Sequence, residues 1–196
     1  MSYSIQSYQS YNEERKDWTK KATPLFKKRY REHFGVSDAE IYDVENAIDR
    51  AYQADVPLFR EIIQQVDFAG ADKILSTPRQ TIMLAERTRR KDLVNGYRRD
   101  PSLRFSTDGG HPPPYEKWTT AVETDTGFYP ALMAFGILTA GVGQAIFDTF
   151  ALIKMRPWLE AINEGRIDSV GSNGTNAYYY PINRLREIDG CILYEE

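Results

Sequence analysis

From Thr126 to Phe147 the chain reads TGFYPALMAFGILTAGVGQAIF, and no charged side chain occurs between Asp125 and Asp148. Water is a poor solvent for such a run, so it constrains the fold more than any other segment. About eighteen or more uncharged apolar residues meet the length criterion for a membrane-crossing helix. About twenty residues at roughly 1.5 Å each span a hydrocarbon layer of roughly 30 Å. Only Thr139 and Gln144 are distinctly polar within the run, and Pro130 falls in the first turn, where its missing N–H costs nothing. Phe128 and Tyr129 lie at one end and Trp158 beyond the other, as interfacial aromatics do. Lys154 and Arg156 are placed to reach headgroups, and Asp148 falls near the edge. The expectation is one transmembrane helix over residues 127–153. The competing reading is a buried central helix of a soluble helical protein.

Small residues recur at a spacing of four: Gly136 with Ala140, Thr139 with Gly143, Gly141 with Ala145. On a helix each pair shares a face and lets another helix approach closely. Gly136, Ala140, Gly141, Gly143 and Ala145 are therefore the expected helix-packing face, turned toward a partner helix.

Before this run the pattern is helical. Residues 1–22, which include the Ser-, Gln- and Tyr-rich SYSIQSYQSY, read as an extended arm that orders on a partner. Residues 23–107 read as a helical soluble domain. Thr23-Pro24 opens a helix whose stripe is Leu25, Phe26, Tyr30 and Phe34, with Gly35 as its stop. Ser37 with Glu40 forms a capping box ahead of Ile41, Val44, Ile48 and Ala51. After Pro57, a third face runs through Phe59, Ile62, Ile63 and Val66. Thr77, Pro78 and Gln80 repeat the capping pattern ahead of Ile82, Leu84, Ala85, Leu93 and Val94. No hairpin pattern is read in this half.

Residues 108–126 begin with the breaker cluster DGGHPPP and read as a linker toward the membrane. Residues 154–196 read as a short helix, Pro157 to Gly165, and a largely irregular tail whose Tyr178-Tyr179-Tyr180 run is a short strand or a docked segment. The expected fold class is mainly α: a small N-terminal helical domain, one transmembrane helix and an irregular tail.

Chemistry-bearing patterns are sparse. Apolar residues are 41% and charged residues 27% of 196, an ordinary globular balance, and a net charge of -3 gives no overall pull toward nucleic acid or anionic lipid. Cys191 is the single cysteine, so an intramolecular disulfide is impossible and cysteine-cluster metal sites are absent. His33 and His111 have no converging ligands at fixed spacing, and no phosphate-cradling glycine motif occurs. No catalytic residue, metal ligand or cofactor is expected.

The basic stretch RTRRKDLVNGYRRDPSLR, residues 87–104, is the main charge feature. It reads first as a solvated face with acidic partners. Arg89, Arg90, Arg98 and Arg99, with Lys154, Arg156 and Trp158, are the expected contacts to anionic lipid or to a partner subunit, ahead of nucleic acid.

These features together describe a non-catalytic, single-span accessory subunit of a multi-subunit membrane complex, by architectural analogy an energy-transducing one, respiratory or photosynthetic. The expected location is the mitochondrial inner membrane, with the thylakoid or another organelle membrane as alternative. The role expected is assembly and stability. Lys154, Arg156 and Arg166 outnumber Lys117 near the span, which puts the tail on the cytoplasmic or matrix-like side. The sequon Asn173-Gly174-Thr175 opposes this in a secretory membrane and is read as chance. The alternatives are a soluble all-helical structural or assembly protein, such as a viral coat protein, and a toxin with a hidden inserting segment; an enzyme ranks last.

Overall fold

The apolar run does not form a helix. In the computed structural model, which describes residues 5–44, 46–47, 66, 70–94, 96–104, 113–140, 144–171 and 177–196, most of it is two antiparallel strands. These are β5 (Leu132–Ala140) and β6 (Ala145–Lys154), paired from Leu132↔Lys154 to Ala140↔Ala145 with one register shift between Ile137 and Leu138. Among the described residues no helix is long and apolar enough to cross a membrane. The transmembrane helix over 127–153, the single-pass location in an organelle membrane and the mainly α fold class are corrected accordingly. The fold is mixed α/β.

The six-stranded sheet that holds β5 explains the misreading. Its order is β1-β2-β3-β5-β6-β8, with β1 at Ile41–Asp43, β2 at Lys73–Ser76, β3 at Thr81–Arg90 and β8 at Ile192–Glu195. β3 and β5 are parallel, Leu84↔Leu132 through Arg90↔Leu138; the other pairs are antiparallel. β5 is thus an inner strand, and Leu132 through Leu138 are all buried. A strand covered on both faces reads as a continuous apolar run without alternation, which is also the pattern of a buried helix.

One face is covered by α1 (Ile5–Phe34). Its Ala22, Phe26 and Tyr30 pack against Leu75, Leu84, Ala134, Leu138, Phe150 and Leu152. The chain that reads as an extended arm is helical from Ile5, and the helix continues through Pro24 rather than starting there. Its end is as expected. Gly35 adopts φ 65° and donates its N–H to the Arg31 carbonyl at 3.0 Å, a left-handed position that glycine takes without strain.

The other face carries α2 (Pro114–Glu123), α3 (Met155–Asn163), α4 (Ile182–Arg186) and a two-stranded sheet of β4 (Ser102–Arg104) and β7 (Ala177–Tyr179). Trp118, Trp158, Leu159, Leu103 and Tyr180 fill this second core against Phe135, Ala151 and Ile153. Asn163 Nδ2 donates to the Thr119 carbonyl at 2.9 Å and ties α3 to α2.

Two cap-like motifs serve other ends. Both halves of the Ser37–Glu40 capping box form, but they open a single 3-10 turn that leads into β1. Thr77 makes the β2–β3 hairpin turn: its N–H reaches the Gln80 carbonyl at 3.0 Å, and its Oγ1 accepts from the Gln80 N–H at 3.0 Å. A Thr oxygen that accepts a nearby backbone N–H suits a helix start and a turn equally. The region after the run is ordered by β7, α4 and β8 rather than irregular. The third expected face, Phe59 to Ile63, the linker's DGGH and the Asn173 sequon lie outside the described residues.

Candidate functional site

A break in register between β5 and β6 shapes the site. Ile137 pairs with Thr149 and Leu138 with Phe147, so Asp148 is an extra residue, a β-bulge. The bulge brings Phe147 and Phe150 to the same face, and both pack on Phe26 of α1 at ring distances of 5.1 and 6.0 Å. It also aims Asp148 toward the other face, where Lys91 Nζ meets it at 2.5 Å.

Beside the bulge lies a cleft of about 530 Å³. Phe135 and Ile137 of β5 form its apolar floor, with Thr149 beside them. Its walls are Arg99-Asp100, Ile182 and Arg186 of α4, and Glu195-Glu196 at the end of β8. Most of its charges are paired. Arg186 makes a two-point bond to Glu195, at 2.7 and 2.5 Å. Glu196 accepts from Arg29 of α1. Asp100 differs: among the described residues its carboxylate accepts the Ile182 N–H at 3.1 Å and meets no cation. Burial raises the Asp100 carboxyl above its ordinary range, against the lowering effect of that N–H. Arg99 stands exposed on the rim, with no ion pair among the described residues.

A second polar group is interior. Lys73 of β2, buried, lies 2.5 Å from Asp43 of β1 and 3.7 Å from Glu86 of β3. Tyr30 of α1, fully buried, donates its hydroxyl to Glu86 at 2.8 Å. The Glu86 N–H and Arg87 both donate to Asp72, at 2.6 and 3.1 Å. Burial raises the Glu86 carboxyl, although Lys73 and Tyr30 pull it down. Burial would lower the Lys73 ammonium, but Glu86 and Asp43 outweigh it and the net shift is upward. Lys73, Glu86 and Tyr30 are withdrawn from solvent, while Asp43 and Asp72 reach it; the groups answer one another, and the Tyr30–Glu86 bond fastens α1 to the sheet.

The residues expected to form a helix-packing face are scattered over strands. Gly136 and Ala140 lie on β5 and Ala145 on β6; Gly141 and Gly143 lie outside the described residues. Gly136 is small because a Cβ there would meet the Phe147 ring at 2.3 Å.

The expected lipid or partner contacts divide similarly. Arg89 donates to Ser102 Oγ at 2.6 Å and lies over the Tyr179 ring, and Arg90 pairs with Asp92 while stacking on Trp18. The side chain of Arg98 is outside the described residues; Arg99 reaches the cleft. Arg156 pairs with Glu160 at 2.8 Å, and Lys154 is exposed. Trp158 is fully buried, edge-on to Tyr180 at 5.4 Å, a core residue and not an interfacial anchor. Burial pushes the Cys191 thiol up to about 12. Among the described residues no three His, Cys or acidic side chains converge as a metal site would require.

The sequence reading places Asp148 at the edge of the apolar run and gives Asp100, Arg186 and Glu195 no site role. A lone acid ending an apolar run, Asp148, is the one signal that marked the bulge. Comparison of the chain with protein-family models, with curated proteins and with solved structures finds no match.

Proposed function

We propose that this chain is a non-catalytic assembly or accessory protein that works by docking to other polypeptides. The observation that supports it is the constitution of the cleft. An apolar floor of Phe135 and Ile137 is ringed by charges most of which are neutralised in pairs, Arg186 with Glu195, Asp148 with Lys91, and Glu196 with Arg29, with Asp100 and Arg99 beside them. Paired charges around an apolar floor give orientation and specificity to binding. Proton transfer calls instead for a group within reach of a reacting atom and poised near the working pH. The surface outside the cleft adds exposed apolar side chains at Tyr42, Phe128, Ile146, Val170 and Leu193. No membrane span enters this reading.

The test is the size of the native particle. An affinity-tagged full chain, expressed in its own cells at its native level, is expected to migrate in a discrete assembly well above its 22.6 kDa. Migration as a free monomer in every gentle extract would refute the proposal.

A further inference from the structure

α1 has two unlike faces. Ala22, Phe26 and Tyr30 pack on the sheet. At about 100° per residue, Lys20, Lys21, Lys27, Lys28 and Arg31 fall within an arc of about 120° on the opposite side of the helix. Lys20, Lys21, Lys28 and Arg31 are exposed and Lys27 is half-buried. Residues 17–34 hold six lysines and arginines against two carboxylates, a net charge of +4. The rest of the chain holds 19 against 26, a net charge of -7, so the small overall value of -3 conceals a segregation. The acids within reach leave the arc basic. Lys21 meets Asp17 at 2.6 Å, and Arg31 meets Asp38 at 2.5 Å. Lys28 lies 3.8 Å from Glu32, which Arg29 holds more closely at 2.7 Å. The six partners in the Lys21, Lys28 and Arg31 pairs are each at least 43% exposed, so water and salt screen them. Lys20 and Lys27 have no ion pair among the described residues.

We propose that the outer face of α1, from Lys20 to Arg31, docks an acidic segment of a partner polypeptide. It rests on the docking role proposed above, and gives that role a second surface, on the sheet face opposite the cleft, and a partner chemistry. Three observations select this occupant. The face is about 16 Å long at roughly 1.5 Å per residue, which an acidic run of about five extended residues or about eleven helical ones covers. Its screened pairs are readily exchanged for a partner's carboxylates, and the cations project from a helix that the sheet core already holds, so binding requires little new backbone order. Nucleic acid fits this face less well. A duplex or a long strand reaches past 16 Å and meets the -7 carried by the rest of the chain. Trp18, beside the arc, is half-buried and already carries Lys21 and Arg90 against its ring at 5.2 and 4.8 Å, so it is not an open platform for base stacking.

The experiment measures binding to the full chain by fluorescence anisotropy at about 50 mM and about 200 mM salt. The probe is a labelled, capped dodecapeptide of alternating glutamate and alanine; its counterpart carries glutamine in place of glutamate. The test variant combines Lys20→Gln, Lys27→Gln and Lys28→Gln. The control variant combines Lys154→Gln, Arg166→Gln and Arg184→Gln, the same change in net charge on exposed side chains away from α1. The glutamate peptide is expected to bind saturably at the lower salt, and about threefold or more weakly at the higher. The glutamine peptide and the test variant should each weaken binding at least about tenfold, while the control variant binds as the parent does. No saturable binding up to about 1 mM at the lower salt would overturn the inference. So would equal binding of the two peptides, or equal losses in the two variants, since the effect would then belong to net charge and not to α1. A labelled oligothymidine that binds more tightly than the peptide would overturn it in favour of nucleic acid. Self-association that the test variant abolishes would overturn it in favour of a second copy. The comparison of peptides needs no protein variant, so misfolding of a variant does not obscure the outcome. If the peptides fail while the native particle remains large, this inference falls and the docking role stands.

Discussion

Gly136→Ala separates the observed sheet from a membrane helix. A helix interface would take one extra methyl with little loss. In the sheet, the new Cβ lies 2.3 Å from Cε1 and 2.8 Å from Cδ1 of Phe147, with a third ring atom at 3.2 Å. The ring has little room to withdraw, because Phe26 and Phe150 both hold it at 5.1 Å. Overpacking of this kind costs about 1–3 kcal/mol. Replacing a strand glycine by alanine returns roughly 0.5–1 kcal/mol of conformational entropy. The net expectation is a loss of up to about 2.5 kcal/mol, or a midpoint lower by up to about 10 °C for a chain of this size. Urea and thermal unfolding followed by circular dichroism give both numbers. Phe147→Leu alone should cost about 1 kcal/mol by loss of ring contacts, yet it relieves the clash. The double variant should therefore be more stable than the sum of the two single effects by at least about 0.5 kcal/mol. Strictly additive losses would refute the packing of Phe147 over Gly136.

Lys73→Met removes the cation between Asp43 and Glu86 and should cost about 3 kcal/mol at pH 7. Glu86 is already raised in the folded chain, and without Lys73 its carboxyl rises further. A carboxyl raised on folding contributes stability at low pH that is lost as pH climbs through the folded value. The deficit of Lys73→Met should therefore be larger at pH 8 than at pH 5, and equal deficits would sink the argument. In the parent, Asp43 is shifted downward, because its bonds to Lys73 and the Asn46 N–H outweigh burial. Its contribution is present above the ordinary carboxylate range and lost as pH falls through its lowered value. Tyr30→Phe leaves Glu86 without its 2.8 Å hydroxyl donor and should destabilise by about 1–3 kcal/mol in urea titrations; no measurable change would mean that the bond contributes nothing. Cys191 is fully buried, with its thiol held up near 12, so a disulfide reagent at pH 8 should label it only as fast as the chain unfolds. Labelling of the native chain at the rate of a free thiol would refute that burial.

Local signals were legible where the physics is local. Gly35 ends α1 because the next step needs a positive φ, and that requirement is written in one residue. Phe26 and Tyr30 are buried as their spacing predicts, and the Pro157–Gly165 segment lies within α3 and the turn after it. The Ser37–Glu40 box formed as read, though on a turn. The alternation of Ile82 and Leu84 in β3 was also present in the sequence, but Thr77 before it marks a turn as well as it marks a cap.

What only the tertiary structure decided is what surrounds each segment. The uncharged run states that residues near 128–147 avoid water; it does not state whether lipid, helices or neighbouring strands replace the water. β5 is apolar and buried from Leu132 to Leu138 because β3 and β6 pair with its edges and helices cover both of its faces, and of those neighbours only β6 is local in sequence. The site follows the same logic. Asp100, Asp148 and the Arg186–Glu195 pair are separated by long stretches of chain and meet only when the bulge, α4 and β8 converge. Periodicity reports which side of an element is dry. The identity of the neighbour, and the clefts between neighbours, belong to contacts between distant residues.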